Sequence, residues 1–179
     1  MVTTQARNRT TRTNTGTSRR KQRWRRNVIR AATWNIMSWN TKNAEILLEM
    51  EQHKIDICAL SETKRKGKGS IRVPGYIFVY SGVSQRSRAT AGVGILISEK
   101  LEQSIEDIHD ISERFLKVTL NTETGKLHLF SVYAPDISKP REETAQFYEI
   151  LEEEVSRIPQ NERMLMMGDL NARIGNSII

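Results

Sequence analysis

The chain has 179 residues, enough for one domain, and 37% of them are hydrophobic. Its formal net charge of +7 belongs to one end: residues 1–30 hold ten Lys/Arg and no acid, which leaves the other 149 residues at −3. One cysteine excludes an internal disulfide and fits a reducing compartment, and neither a secretory signal nor a membrane span is expected, because no apolar run is long enough.

Residues 1–27 are Thr, Asn, Arg and Gln with almost no large apolar side chain, a composition that predicts a disordered basic tail. Arg19, Arg20, Lys21, Arg23, Trp24, Arg25 and Arg26 lie in its densest stretch, SRRKQRWRR. Such a run reads as a nuclear localisation signal or a phosphate-binding arm, with Trp24 free to stack on a base. DNA is the expected partner and the nucleus the expected location, with the cytoplasm as the alternative. Two competing readings are a solvated tail without a partner and a transit segment. The second lacks the apolar residues for an amphipathic face.

Val28 to Trp34 (VIRAATW) is rich enough in β-formers to be a first strand, ending at Asn35. Residues 41–53 read as a helix, with Ala44, Leu47, Leu48 and Glu51 at three–four spacing and Asn40 or Thr41 as its cap. Ile55 to Leu60 is a second strand, ending at Ser61 and Glu62, and Cys58 within it reads as a small buried side chain. Strand, helix and strand in this span predict a βαβ unit with parallel strands, which brings Asn35 and Glu62 to one sheet edge. Residues 63–74 are basic and contain glycine, so they read as an exposed loop.

Tyr76 to Tyr80 and Ala91 to Ser98 read as further strands. Gly92 and Gly94 mark a close backbone approach rather than a phosphate loop, because no helix start follows them. Phe115 to Leu120 and Leu127 to Tyr133 form an antiparallel hairpin about NTETGK, and Pro135 ends the pairing. Pro140 to Arg157 is a second helix with Phe147, Ile150, Leu151 and Val155 on its apolar stripe. Arg163 to Met167 is a last strand, leading into Gly168, Asp169 and Asn171. About seven strands and two helices are expected, with no short-period repeat.

Four strands thus end in oxygen- or amide-bearing groups: Asn35, Glu62, Tyr133, and Asp169 with Asn171. Acids, amides and a phenol suit a hard divalent cation and a phosphate, since Mg²⁺ prefers oxygen ligands and keeps several waters. His53, His109 and His128 are scattered and read as surface or strand-face residues, which argues against zinc.

TWNI at 33–36, LSET at 60–63, SVYAP at 131–135 and GDLNA at 168–172, in this order and spacing, resemble the endonuclease/exonuclease/phosphatase superfamily. VGILIS at 93–98 fits its core strand. Within it the chain most resembles the endonucleases derived from non-LTR retrotransposons, a group that includes craniofacial development protein 2-like proteins. The resemblance runs from about Val28 to Gly175. It implies a DNase I-like, four-layer α/β sandwich, two packed β-sheets flanked by helices. It also implies Mg²⁺-dependent hydrolysis of DNA phosphodiesters, with Mn²⁺ as an alternative ion. A monomer is expected.

By the same resemblance Glu62 binds the metal with help from Asn35. Asp169 orients or deprotonates the attacking water, and Asn171 and Tyr133 hold the phosphate. Family members continue past GDLNA with more strands and a Ser-Asp-His motif. Residues 28–179 are therefore read as a partial domain lacking the C-terminal strands, weak or inactive as a nuclease by itself. A position that often holds Asp or Asn in the family is Met37 here. The alternative function is a non-catalytic nucleic-acid-binding remnant that uses the basic tail, and a phosphatase of the same superfamily ranks third.

Overall fold

The computed structural model describes residues 28–171. The expected βαβ unit opens the domain. Strands β1 (Ala31–Asn35) and β2 (Ile57–Ser61) run parallel, joined by helix α1 (Trp39–Gln52), with Asn35 opposite Ser61. The helix begins earlier than its apolar spacing implies. Ser38, not Asn40 or Thr41, stands at the N-cap, and its side chain makes no capping bond.

Strands β3 (Lys68–Val73), β4 (Tyr76–Ser81) and β5 (Val93–Ser98) complete a sheet in the order β1-β2-β5-β4-β3, antiparallel beyond the first pair. A 3₁₀ turn at Glu99–Ser104 leads to the second sheet. That sheet is β6 (Ile105–Ser112), β7 (Phe115–Thr122), β8 (Gly125–Tyr133) and β9 (Arg163–Asp169), in sequential order. Strands β7 and β8 form the expected hairpin, while β8 and β9 are parallel and joined by helix α2 (Arg141–Ser156).

Nine strands are present among the described residues, not seven. Residues 68–73, expected in a loop, form β3, and β6 was not expected at all. Both are edge strands, and backbone pairing holds them rather than a buried apolar run. Their sequences, KGSIRV and IEDIHDIS, keep most side chains out of the core, so the apolar signal of a strand is weak in both.

Strand alternation builds four layers. Ile57, Ala59, Val93, Ile95 and Ile97 of the first sheet face Leu116, Val118, Leu120, Leu129 and Met167 of the second across the central core. The opposite face of the first sheet, with Leu60, Phe78 and Leu96, is covered by Trp39, Ile46 and Met50 of α1. The outer face of the second, with Phe115, Phe130 and Val132, is covered by Phe147, Ile150 and Leu151 of α2. Cys58 is buried against α1, and burial pushes its thiol up to about 12, so it stays protonated. Among the described residues no helix is long and apolar enough to cross a membrane.

One buried carboxylate ties α2 to its sheet. Glu154 is 3% exposed and accepts from Lys117 Nζ of β7 at 2.7 Å, with Arg157 and His109 also against it. Burial raises its pKa, but the hydrogen bond and charge of Lys117, with His109 and Arg157, outweigh that and hold the carboxyl below its ordinary 4.5. A folded pKa below the unfolded one contributes stability above the unfolded value, lost as pH falls through the folded value. Calorimetry should show melting temperature falling below about pH 4.5, and Glu154→Gln should flatten part of that fall.

Candidate active site

Both βαβ units deliver their strand ends to one end of the sandwich. In the first sheet β1 ends at Asn35 and Glu62 directly follows β2. In the second, Tyr133 at the end of β8 is the register partner of Asp169 at the end of β9. At this end the two sheets share one acceptor atom. Glu62 Oε1 accepts from Asn35 Nδ2 at 2.9 Å and from Tyr133 Oη at 3.1 Å. Among the described residues the cation paired with Glu62 Oε2 is Lys64, its Nζ 4.0 Å away.

Asp169 and Asn171 belong to the same rim but are tied to the β8 side. The Asp169 backbone carbonyl accepts from Ala134 N at 2.8 Å, and its Oδ1 accepts from Asn171 N at 2.9 Å. Asn171 Nδ2 donates to the Ala134 carbonyl at 2.7 Å, and among the described residues its second amide hydrogen and its Oδ1 have no partner. Asn35, Glu62 and Tyr133 are therefore hydrogen-bonded together, and Asp169 and Asn171 join them through strand register and the Ala134 loop. Arg19, Arg20, Lys21, Arg23, Trp24, Arg25 and Arg26 lie outside the described residues.

Tyr133 is held as a donor. Burial first, then the charge and hydrogen bond of Glu62, raise its hydroxyl from 10.0 to about 12, against an opposing pull from Arg114. Arg114 is a residue the sequence did not single out. Its guanidinium lies 5.3 Å from the Tyr133 ring, donates to the Tyr133 carbonyl at 3.3 Å and pairs with Glu143 of α2 at 3.1 Å. It stands in the β6–β7 turn, where one Arg among many gives no pattern to read.

Backbone strain collects at the same rim. Among the described residues five non-glycine residues have positive φ, and four of them, Met37, Glu62, Lys64 and Asn171, flank the candidate site. Such conformations cost energy and persist where the surroundings fix them, which is common at functional sites. Met37 is 57% exposed, and its N–H donates to Asn35 Oδ1 at 3.3 Å. Asn tolerates this conformation far better than Met and little packing is at stake, so Met37→Asn should raise stability by about 1 kcal/mol in a denaturant titration.

The donor set suits a hard cation that keeps most of its water. Among the described residues no three His, Cys, Asp or Glu side chains gather about one point. The Asn35 amide presents its nitrogen to Glu62 and its oxygen to the Met37 N–H, so one carboxylate with an amide side chain beside it is the donor set, of a kind that Mg²⁺ accepts and zinc does not favour.

Residues 32–176 match the model of the Endonuclease/Exonuclease/phosphatase family. The chain belongs to this family. It is 28% identical over 148 residues to craniofacial development protein 2 of Bos taurus, covering 82% of this chain and 25% of that protein. It is 27% identical over 147 residues to a probable RNA-directed DNA polymerase from transposon X-element of Drosophila melanogaster, covering 80% and 15%. The chain thus spans about a quarter of the length of the first of these relatives and less of the second.

Among solved structures, an AP endonuclease from Archaeoglobus fulgidus superposes with a TM-score of 0.62 at 20% identity, over 80% of this chain and 58% of that one. The endonuclease domain of TRAS1, a telomere-specific non-LTR retrotransposon, gives 0.57 at 18%, over 81% and 61%. These likenesses confirm the DNase I-like arrangement of two mixed sheets flanked by helices that the motifs imply.

Proposed function

We propose that this domain carries the site of a Mg²⁺-dependent endonuclease that hydrolyses DNA phosphodiester bonds, of the retrotransposon-derived type. The observation that supports it most is the shared acceptor Glu62 Oε1, which links Asn35 of one sheet to Tyr133 of the other at the end where Asp169 also emerges. Glu62 and the Asn35 amide oxygen would hold the ion, with Mn²⁺ as a substitute. When bound, the ion acts as a Lewis acid on the phosphate and its leaving oxygen.

The remaining steps fall to this chain's own groups. Asp169 accepts the proton of the attacking water, whose oxygen bonds to phosphorus as the leaving oxygen departs. Tyr133, protonated at neutral pH, would turn its single hydroxyl hydrogen from Glu62 Oε1 to a non-bridging phosphate oxygen when the strand binds. Asn171 donates its second amide hydrogen to the same group. Arg114 acts through Tyr133 and fixes the position of its ring.

The segregation of charge supports a second reading, a nucleic-acid-binding protein that uses residues 1–27 and does not cut. A supercoiled plasmid separates the two. Nicking with Mg²⁺ that stops in EDTA is expected from the endonuclease. The activity expected of residues 28–179 alone is weak, so the separating result is its metal dependence: salt-sensitive binding with no nicking above the EDTA blank, even at high enzyme concentration, would favour the second reading over the first.

A further inference from the structure

A second cluster lies beside Glu62, on the loop that follows β2. A cavity of about 350 Å³ is lined by Asn40, Lys64, Arg65, Lys66 and Ala89. Its walls carry three cations, one amide and no acid. Arg65 is unusual among them. Its guanidinium carbon lies 4.1 Å from the Tyr80 ring centroid and 5.9 Å from that of Phe78. Its buried Nε has no hydrogen-bond partner, and no carboxylate pairs with its guanidinium among the described residues. A buried donor left unpaired costs roughly 1–3 kcal/mol. That is the state expected of a group whose acceptor arrives with a ligand.

The neighbours of Arg65 are arranged for an anion as well. Lys66 Nζ is placed by the Gln85 carbonyl at 3.1 Å. Asn40 lies in the first turn of α1, which has no acidic residue and no side-chain cap. That end of the helix carries partial positive charge that nothing in the turn offsets. Lys64 spans the distance to the candidate active site, its Nζ 4.0 Å from Glu62 Oε2.

We infer that Arg65, with Lys64 and Lys66, binds a second backbone phosphate of the strand whose scissile phosphate lies at Glu62. The inference rests on the nuclease reading and narrows its substrate. A site with two adjoining phosphate positions takes a polynucleotide strand, and a ligand with a single phosphate fills only half of it. The stack on Tyr80 holds the guanidinium in place before the strand arrives.

The test is the binding of a fluorescein-labelled single-stranded oligodeoxynucleotide to the full chain in EDTA, followed by anisotropy across a salt series. Each neutralised phosphate contributes about 0.7 to the slope of log K against log salt on single strands. Arg65→Gln should lower the slope by about that amount and weaken binding about 10-fold at low salt, and Lys66→Gln should lower it similarly. Arg65→Lys should restore the slope. A mononucleotide, added as competitor, should show the same inhibition constant on the wild type and on Arg65→Gln, and a weaker one on the variant would count against the inference.

Arg65 serving only to pack on Tyr80 predicts a lower melting temperature with an unchanged slope. That result overturns the inference, as does an unchanged slope in Lys66→Gln. The nuclease reading fails separately. If nicking depends on Mg²⁺ while these slopes stay put, the second subsite is wrong and the endonuclease stands. If the slopes fall and no Mg²⁺-dependent nicking occurs, the strand-binding cluster stands and the endonuclease does not.

Discussion

Glu62→Gln should abolish Mg²⁺-dependent nicking while leaving the fold in place. The amide keeps an oxygen where Oε1 stands, so Asn35 Nδ2 and Tyr133 Oη retain their acceptor. What disappears is the negative charge, and with it the one carboxylate that would hold the ion. Lewis-acid assistance is worth several kcal/mol, so the rate should fall by about 10³-fold or more. Stability should move by no more than about 1 kcal/mol, because Gln meets the same backbone demand at φ 53 that Glu does.

The same variant has a second, independent readout. The charge and hydrogen bond of Glu62 both raise the Tyr133 hydroxyl, so removing the charge should lower that pKa from about 12 toward 10.0. Burial is the larger cause and persists, so the pKa should remain above 10.0. Ultraviolet titration of the phenol measures this without any turnover. Nicking that survives in Glu62→Gln, with the Tyr133 shift present, would show that Glu62 touches Tyr133 but does not hold the ion.

The parts of this arrangement that the sequence discloses share one property: they terminate short runs rich in apolar residues. Ile57 to Leu60 is continuous and apolar, so its end at Ser61 and Glu62 is visible, and the parallel pairing with β1 follows from the helix between them. The same logic finds Tyr133 and Asp169, now register partners. The edge strands β3 and β6 are missed because backbone pairing holds them and most of their side chains are polar or exposed, with no continuous apolar run.

Arg114 and Arg65 are missed for a different reason. Each matters through what it touches in space, a Tyr ring contributed by another strand, and an isolated Arg carries no periodic signal. The positive φ angles at Met37, Glu62 and Lys64 are equally hidden. Met, Glu and Lys rarely adopt them, so the local sequence argues against the conformation that the site imposes. The rim of the sandwich is therefore where local preference and tertiary demand disagree, and the core is where they agree.

Gly168→Ala should be among the most destabilising single changes in the domain, and the reason bears on Asp169. A Cβ at this position would stand 1.9 Å from the Val132 carbonyl oxygen, with Val132 N and C within 3 Å. All three are backbone atoms of the neighbouring strand, so no rotamer change relieves the clash. The residue also has φ +125, which L side chains rarely adopt. Strain and overpacking together should cost about 3 kcal/mol or more. In a domain of this size that lowers Tm by roughly 6–12 °C.

Gly125 is the natural comparison. It has φ +101 in the β7–β8 turn, but a Cβ there meets nothing within 4 Å. Gly125→Ala should therefore pay only the conformational part, about 1 kcal/mol. The difference between the two variants isolates the contact with Val132. Equal effects would mean that β9 slides away from β8 at little cost, and that Gly168 does not set the strand's position. The expected inequality means that it does. Val132 lies opposite Gly168, and the next pair in register is Tyr133 with Asp169. The close approach at Gly168 thus fixes how far Asp169 stands from the phenol that bonds Glu62. Loss of nicking in Gly168→Ala, assayed well below its lowered Tm, would follow from that displacement rather than from unfolding.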